Sequence, residues 1–473
     1  MNSFADHLKG EPIFDIVSAV SQELQLEAYV VGGYVRDLVL KRPSKDVDFV
    51  CVGDGTKLAN AVAMKLGKEA KLSIFKNFGT AAIHFDGYEY EFVGARKESY
   101  REDSRNPDVI AGTLEDDQNR RDFTINAMAI SLQNDTYGQL IDPFGGVADL
   151  GKKIVKTPLE PHLTFSDDPL RMMRAIRFAT QLSFDIDPDT YQGIVDAKER
   201  ISIISQERIT DELNKIILSE TPSYGFKLMF QAGLLQIIFP EMVRLHGVQK
   251  IDGKSHKDNF YHTLQVLDNI CKMTDDLWLR WAAILHDIAK PATQRFHKKA
   301  GWTFHGHEDL GSKWVPKIFK KLKLPLDDRM RYVQKLVRLH LRPIALVNSK
   351  VTDSAVRRMV FEAGIDVNDL MTLCRADVTS KNPERVEKYQ KNFTKVEDKI
   401  KEVEERDRIM NFQPPVTGEM ILEMFDIQPS KLIGDIKTEI KEAILDGRIS
   451  NDKDEASKMM MDLGKKYGLR LKK

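Results

Sequence analysis

At 473 residues the chain is longer than one ordinary domain, and about three or four domains are expected. Its 71 basic and 71 acidic residues cancel, which excludes a globally basic polyanion binder and leaves only local patches for such a partner. Cys51, Cys271 and Cys374 are too widely spaced for a disulfide framework and predict a reduced, cytoplasmic protein; no signal-peptide layout opens the chain, and no apolar run approaches the ~20 residues of a membrane helix.

In chain order, residues 14–24 have helical apolar spacing and lead into residues 30–50, V-V-G-G-Y-V-R-D-L-V-L-K-R-P-S-K-D-V-D-F-V. An apolar strand runs into Gly32 and Gly33, a helix starting near Tyr34 carries Arg36 and Asp37, and a second strand bears Asp46 and Asp48. Strand residues two apart share a face, so the two carboxylates aim at one point. Adjacent carboxylates repel unless a cation lies between them, and Mg²⁺ suits carboxylate and phosphate oxygens. The glycines let backbone N–H groups approach phosphate at a helix N-terminus. Together these are the equipment for phosphoryl or nucleotidyl transfer. Either motif alone reads more readily as a turn or a solvated strand; both within one short strand–helix–strand unit favour function.

A helix is predicted over 57–66 and strands over 72–75, 80–85 and 88–93, a small mixed sheet bearing the site. Glu91 is either a third acidic group near the metal or an exposed strand residue. Residues 94–119 are charged and aperiodic, which predicts a mobile loop, functional or mere linker. In R-R-D-F-T-I-N-A-M-A (120–129), Arg120 and Arg121 suit phosphate, and Asp122 and Asn126 suit ribose hydroxyls. A turn at Asp142-Pro143-Phe144-Gly145-Gly146 closes the first domain. From Thr164 the pattern turns helical, with Ser166 or Asp167 as cap. Asp168 and Arg171 are expected on one helix face, followed by Arg174 and Arg177. That stripe is either a solvated ion-pair face or a set of planar donors and acceptors that reads a base edge. A second helix holds residues 206–213.

These motifs, in this order, resemble the class II tRNA nucleotidyltransferases and bacterial poly(A) polymerases over roughly residues 25–215. The catalytic motif is matched by Gly32 to Asp37 with Asp46 and Asp48, and the ribose-selecting motif by Arg120 to Ala127. The turn at 142–146 matches the hinge, and Asp167 to Arg171 the base-reading motif, where the family often has Glu at the position of Asp167. The resemblance implies two Mg²⁺ ions on Asp46 and Asp48, a triphosphate on Gly33, Arg36 and Arg121, and ribose selection by Asp122 and Asn126. It implies that Asp168 and Arg171 pair with the incoming base, supported by Arg174 and Arg177, admitting CTP and ATP onto a tRNA 3′ end without a template. The segment 94–119 resembles a family element needed to add the final A, which argues against an enzyme adding only C.

Downstream, Tyr261-His262 opens a helical stretch, and W-A-A-I-L-H-D-I-A-K places His286-Asp287 on a mostly apolar helix. A polar pair there is costly unless paired or metal-bound. With His307, His340 and Asp377 the pattern resembles the HD phosphohydrolase superfamily. This implies a metal set of His262, His286, Asp287 and Asp377, with His307 and His340 matching second-metal positions. Such ligands suit Mn, Fe, Co, Ni or Zn better than Mg. HD-bearing relatives can act as phosphohydrolases, with 2′,3′-cyclic ends as one substrate; the alternative is an HD fold kept as an RNA-binding body. Residues 313–350 hold eleven Lys and Arg against two Asp, either a track for the tRNA backbone or solvated helix faces. A charged helix over 384–407 ends at Gln413-Pro414-Pro415, followed by a small helical tail.

The fold class expected is therefore α+β: a small mixed nucleotidyltransferase head (1–150), then an all-helical neck (151–245), an HD-containing body (246–390) and a tail (391–473). The activity expected is addition or repair of the C-C-A end of tRNA. The rivals are a poly(A) polymerase or A-only adder and, in another class, an RNA-binding HD phosphohydrolase with an inactive head.

Overall fold

The computed structural model describes residues 3–75, 79–101, 104–348, 352–380, 382–410, 412 and 415–472, and the chain forms two compact units, 1–239 and 240–473. Unit 1 opens with a helix at Pro12–Glu23, whose proline fills the first turn where its missing N–H costs nothing. The main sheet then takes β1 (Glu27–Val31), β2 (Asp46–Val52), β3 (Lys71–Phe75), β4 (Thr80–Phe85) and β5 (Tyr88–Gly94), and later β8 (Ala129–Ser131) and β9 (Leu140–Ile141), in the order β3-β4-β5-β2-β1-β8-β9. Strand β2 lies centrally, antiparallel to β1 and parallel to β5, which sets Asp48 opposite Val31 on one side and Glu91 on the other. Val30, Phe49 and Phe92 are fully buried, and the Phe49 and Phe92 rings stack at 4.9 Å. The helix at Gly55–Leu66 is capped by Asp54, whose carboxylate accepts the Thr56 N–H at 2.9 Å.

The segment expected as a mobile loop is folded. It forms a hairpin, β6 (Arg96–Arg101) and β7 (Ser104–Ala111), then a helix at Leu114–Asn119 with a Thr113/Asp116 capping box. Among the described residues these strands pair only with each other. The sequence of these strands, R-K-E-S-Y-R and S-R-N-P-D-V-I-A, carries no apolar alternation, so it gives no period-two signal.

The expected helix through Asp168 is two helices, Pro161–Asp167 and Leu170–Leu182. Asp168 is extended at the junction (φ −137°, ψ 101°), because the ring of Pro169 disfavours the helical region for the preceding residue. Ser166 and Asp167 therefore lie in the last turn of the first helix, and at the start of the second the Asp168 carboxylate accepts the Leu170 N–H at 3.1 Å. Helices at Pro188–Ala197, Gln206–Ile217 and Pro222–Ala232 complete the unit.

The described residues of unit 2 are mainly helical, with two short hairpins, Lys250–Ile251 with Lys254–Ser255 and Arg295–His297 with Gly301–Thr303. Its helices include Asn259–Cys271, Leu277–Leu285, His307–Lys321, Asp328–Leu339 and Val367–Ala376. The charged helix runs Pro383–Asp407, and Gly418–Met424, Lys431–Asp446 and Lys453–Lys466 form the tail. Gln413 and Pro414, expected to break the charged helix, lie outside the described residues. The architecture is the α+β arrangement of a mixed sheet followed by helices.

Candidate active site and metal cluster

Unit 1 contains a cavity of about 890 Å³ lined by Gly32, Gly33, Arg36, Asp46, Asp48, Glu91, Arg120, Arg121, Asp122 and Asn126, together with Asp168, Arg171, Arg174 and Arg177; the turn at 142–146 does not line it. Asp46 and Asp48 enter it from one face of β2, and Glu91 lines it from the neighbouring strand. Burial pushes the Asp48 carboxyl up, with Asp46 adding to the rise and Arg121 opposing it. Burial also raises Glu91, with the Asp48 charge as the next cause. A carboxylate whose charge is disfavoured by burial beside further carboxylates gains most from a divalent cation, so this donor set fits one.

Gly32 makes the close approach possible. Its φ is +76°, and a Cβ there would lie 2.9 Å from Arg121 Nη1 and 3.0 Å from Asp48 Oδ2. Gly33 begins the helix Gly33–Val39 that carries Arg36. Arg36 donates to Asn126 Oδ1 at 3.0 Å and grips Asp37 at 2.8 Å. Asn126 Nδ2 in turn donates to Asp122 Oδ1 at 3.1 Å, and Arg174 binds Asp122 Oδ2 at 2.6 Å. Burial works against the Asp122 charge, yet Arg174 and Asn126 hold its carboxyl below the usual range. Buried Asp117 is likewise held low, against its burial, by Arg121 and Arg120.

Asp168 and Arg171 both line the cavity and share a backbone hydrogen bond, the Arg171 N–H donating to the Asp168 carbonyl at 3.0 Å, but their side chains have different partners. Arg208 Nη2 donates to Asp168 Oδ2 at 3.1 Å. Arg171 is buried and donates to the carbonyls of Thr164 at 3.2 Å and Arg120 at 2.6 Å. Arg177 pairs with Glu212 at 2.5 Å and stacks 4.0 Å from the Phe178 ring centre; Arg36 and Arg174 face the same ring at 5.1 and 5.4 Å. The sequence reading missed Phe178, Arg208, Glu212 and Asp117 as site residues. Arg208 and Glu212 carried a signal, since residues four apart share a helix face.

In unit 2 the six predicted HD residues converge, and four of them sit at helix ends. His286, His340 and Asp377 follow the last turns of three helices, and His307 opens a fourth. His286-Asp287 is thus just past its helix rather than on it. His262 Nε2 lies 3.4 Å from Asp287 and 3.0 Å from Asp377; His307 Nε2 lies 3.2 Å from Asp287 and 3.3 Å from His340 Nε2. The Nδ1 atoms of His286, His307 and His340 each lie 2.7 Å from a carbonyl three residues back. A carbonyl only accepts, so Nδ1 carries the proton and Nε2 faces the cluster as a donor atom for a metal. Burial disfavours charge on His286, yet Asp287 and Asp377 push it up to about 10, a proton held where a cation would be favoured. His286 Nε2 and Asp287 Oδ2 are buried without a hydrogen bond of good geometry, although Lys290 Nζ lies 2.5 Å from the latter. His262, His286 and Asp287 form one group able to hold a metal, and Asp287, His307 and His340 another.

The chain matches the Poly A polymerase head domain over residues 28–156, the probable RNA- and SrmB-binding site of polymerase A over 183–245, and the HD domain over 259–382. With the two-carboxylate cleft, these define a nucleotidyltransferase of the poly(A) polymerase type with an HD module, and such modules are metal-dependent in general. The A-adding tRNA nucleotidyltransferase of Deinococcus radiodurans is 32% identical over 358 residues, 74% of this chain and 76% of that one. The multifunctional CCA protein of Shewanella frigidimarina is 33% identical over 313 residues, 64% and 71% of the two chains. A Thermotoga maritima CCA-adding enzyme solved in complex with tRNA(CCA) shares the fold, at 22% identity, a TM-score of 0.60 and coverage of 96% and 95%. The chain therefore belongs to the tRNA nucleotidyltransferase family. No helix among the described residues is long and apolar enough to cross a membrane.

Proposed function

We propose that the chain adds or repairs the 3′-terminal C-C-A of tRNA from CTP and ATP without a nucleic-acid template, in the cytoplasm. The observation that carries this reading is one cavity in which Asp46, Asp48 and Glu91 face arginines brought by the helix Leu170–Leu182. Asp46 and Asp48, with Glu91 beside them, would hold Mg²⁺, whose charge would make the RNA 3′-hydroxyl a better nucleophile and steady the leaving pyrophosphate. Arg36 and Arg121, beside Gly32 and Gly33, bind the triphosphate. Asp122 and Asn126, already fixed by Arg174 and Arg36, present oxygen and amide groups to the ribose. Asp168 and Arg171 read the base edge, Asp168 positioned by Arg208 and Arg171 by two carbonyls; Arg174 and Arg177 brace them over Phe178. The four-part division into head, neck, HD body and tail, at 150, 245 and 390, belongs to the same proposal.

The test supplies tRNA transcripts ending before C, after C and after C-C with each labelled nucleotide and Mg²⁺. Stepwise addition of C, C and A supports the reading. Incorporation of A alone on the C-C form selects an A-only adder, the second reading, favoured by the 32% identity to such an enzyme. Long A tails on unrelated RNA select a poly(A) polymerase. Unchanged activity in Asp48→Ala would select the RNA-binding phosphohydrolase with an inactive head.

We further infer that the HD cluster is a phosphohydrolase centre holding Mn, Fe, Co, Ni or Zn on His262, His286, Asp287, His307, His340 and Asp377. Its support is the inward-facing Nε2 atoms. A metal-titrated phosphodiesterase assay on RNA with 2′,3′-cyclic ends, comparing wild type with His286→Ala, tests it. Metal-independent or mutation-insensitive turnover removes it.

A further inference from the structure

The two hairpins of unit 2 are fastened into one body. Lys254 Nζ donates to the carbonyls of Lys298 and Lys299 at 2.8 and 3.0 Å, and Trp302 Nε1 donates to the Lys254 carbonyl at 3.1 Å. The His256 ring sits edge-on to Trp302 and Phe304, with centroids 5.3 and 5.8 Å away, and its Nε2 accepts the Gln249 N–H at 3.2 Å. Residues 250–257 and 295–305 carry six Lys and Arg against Asp252 alone. Lys250, Lys257, Arg295, Lys298 and Lys299 are exposed and have no ion pair among the described residues. Short strands ordinarily balance such charge locally, so an uncompensated cluster held rigid by three cross-hairpin bonds is set up to meet a polyanion.

The aromatic side chains say which polyanion. Trp302 and Phe304 are half-buried and line a cavity of about 400 Å³ with Lys290, His305, Leu341 and His307 of the metal cluster. The Lys290 ammonium lies 5.6 Å over the Phe304 ring and contacts Asp287. Cations beside fixed aromatic faces suit the phosphates and unstacked bases of a single strand, whereas duplex RNA offers backbone without free base faces. We propose that the paired hairpins are a platform for single-stranded RNA. Its phosphates lie on the exposed lysines and Arg295, and its terminal base enters the cavity beside Trp302 and Phe304, which brings the strand end to His307. This goes beyond the nucleotidyl-transfer reading and needs only RNA as ligand, not any reaction in the head.

The test measures fluorescence anisotropy of a labelled ten-nucleotide single-stranded RNA, and of a blunt RNA duplex, with the full chain over a salt series. Lys298→Glu/Lys299→Glu lies on an exposed turn and is expected to weaken single-strand binding about tenfold. It should also flatten the log–log salt dependence by about 1.4, two phosphates at about 0.7 each. Trp302→Ala is expected to weaken binding about fivefold or more with the salt slope kept, since stacking carries no charge. Should that variant not fold, the double lysine variant decides. Slowed amide exchange at 250–257 and 295–305 on adding the single strand supports the platform. Unchanged affinity and slope in the double variant overturns it, as does an equal loss for the duplex. Nucleotide incorporation is scored separately, so its failure sinks the tRNA reading and leaves the anisotropy result standing.

Discussion

The head cleft and the HD cluster both gather carboxylates away from water, but they do it by opposite constructions. In the cleft, Asp46, Asp48 and Glu91 stand on adjacent strands of one sheet, and the facing arginines leave about 890 Å³ between them. In the cluster, four of six side chains come from the ends of four helices, and the six meet at contacts of 3.0–3.8 Å, with His286, Asp287 and His340 almost fully buried. A strand pair fixes spacing cheaply and leaves one side open, which suits a site that must admit a triphosphate and an RNA end. Helix ends converging on a point make a tight donor set suited to holding an ion, with a smaller cavity opening beside His307. The first construction leaves open space between charged walls, and the second brings its side chains close enough for one ion to touch several of them.

That contrast can be broken. The largest effect is expected from Asp48→Ala, which should lower nucleotide incorporation on the order of 10³-fold or more in labelled-nucleotide assays while leaving HD-site metal content intact. Loss of bound metal on this substitution would mean the sites are not separate. Next, His286→Ala should empty the HD cluster of most of its metal, read by elemental analysis, and abolish any metal-dependent phosphodiesterase turnover. Retained stoichiometric metal would remove His286 from the ligand set. Gly32→Ala should cost incorporation on the order of 10²-fold and about 1–2 kcal/mol of stability by urea unfolding, because φ is positive and Asp48 and Arg121 crowd the Cβ.

The smallest effect concerns pH. The folded Asp122 carboxyl is depressed below its ordinary 3.8, so its stabilisation is present above about pH 4 and is lost as pH falls through the folded value. Asp122→Asn should therefore be less stable at neutral pH by about 1–2 kcal/mol and show a flatter acid limb in pH-dependent unfolding. An acid limb identical to wild type would sink the assignment of that ion pair.

Much of the cleft was legible because its chemistry is local. Asp46 and Asp48 declare a shared strand face by spacing alone, and Gly32-Gly33 declares a turn. The hairpin at 96–111 was not legible, since among the described residues its strands pair only with each other and their sequence shows no apolar alternation to read. The partners of Asp168 and Arg171 were hidden for another reason. A proline-imposed break at Asp168 turned a supposed helix face into a junction, and Arg208 and the Arg120 carbonyl arrive from 40 and 51 residues away.

By itself the sequence determined which residue types come together as candidates for phosphate, ribose and metal, and in what order along the chain, because strand period, glycine and proline act over a few residues. Only the tertiary structure decided that Glu91 stands beside Asp48, that Phe178 carries three guanidinium groups, and that the histidines turn Nε2 inward. Those facts depend on sheet register and on which buried groups remain to accept a hydrogen bond, and both are set by packing across long stretches of chain.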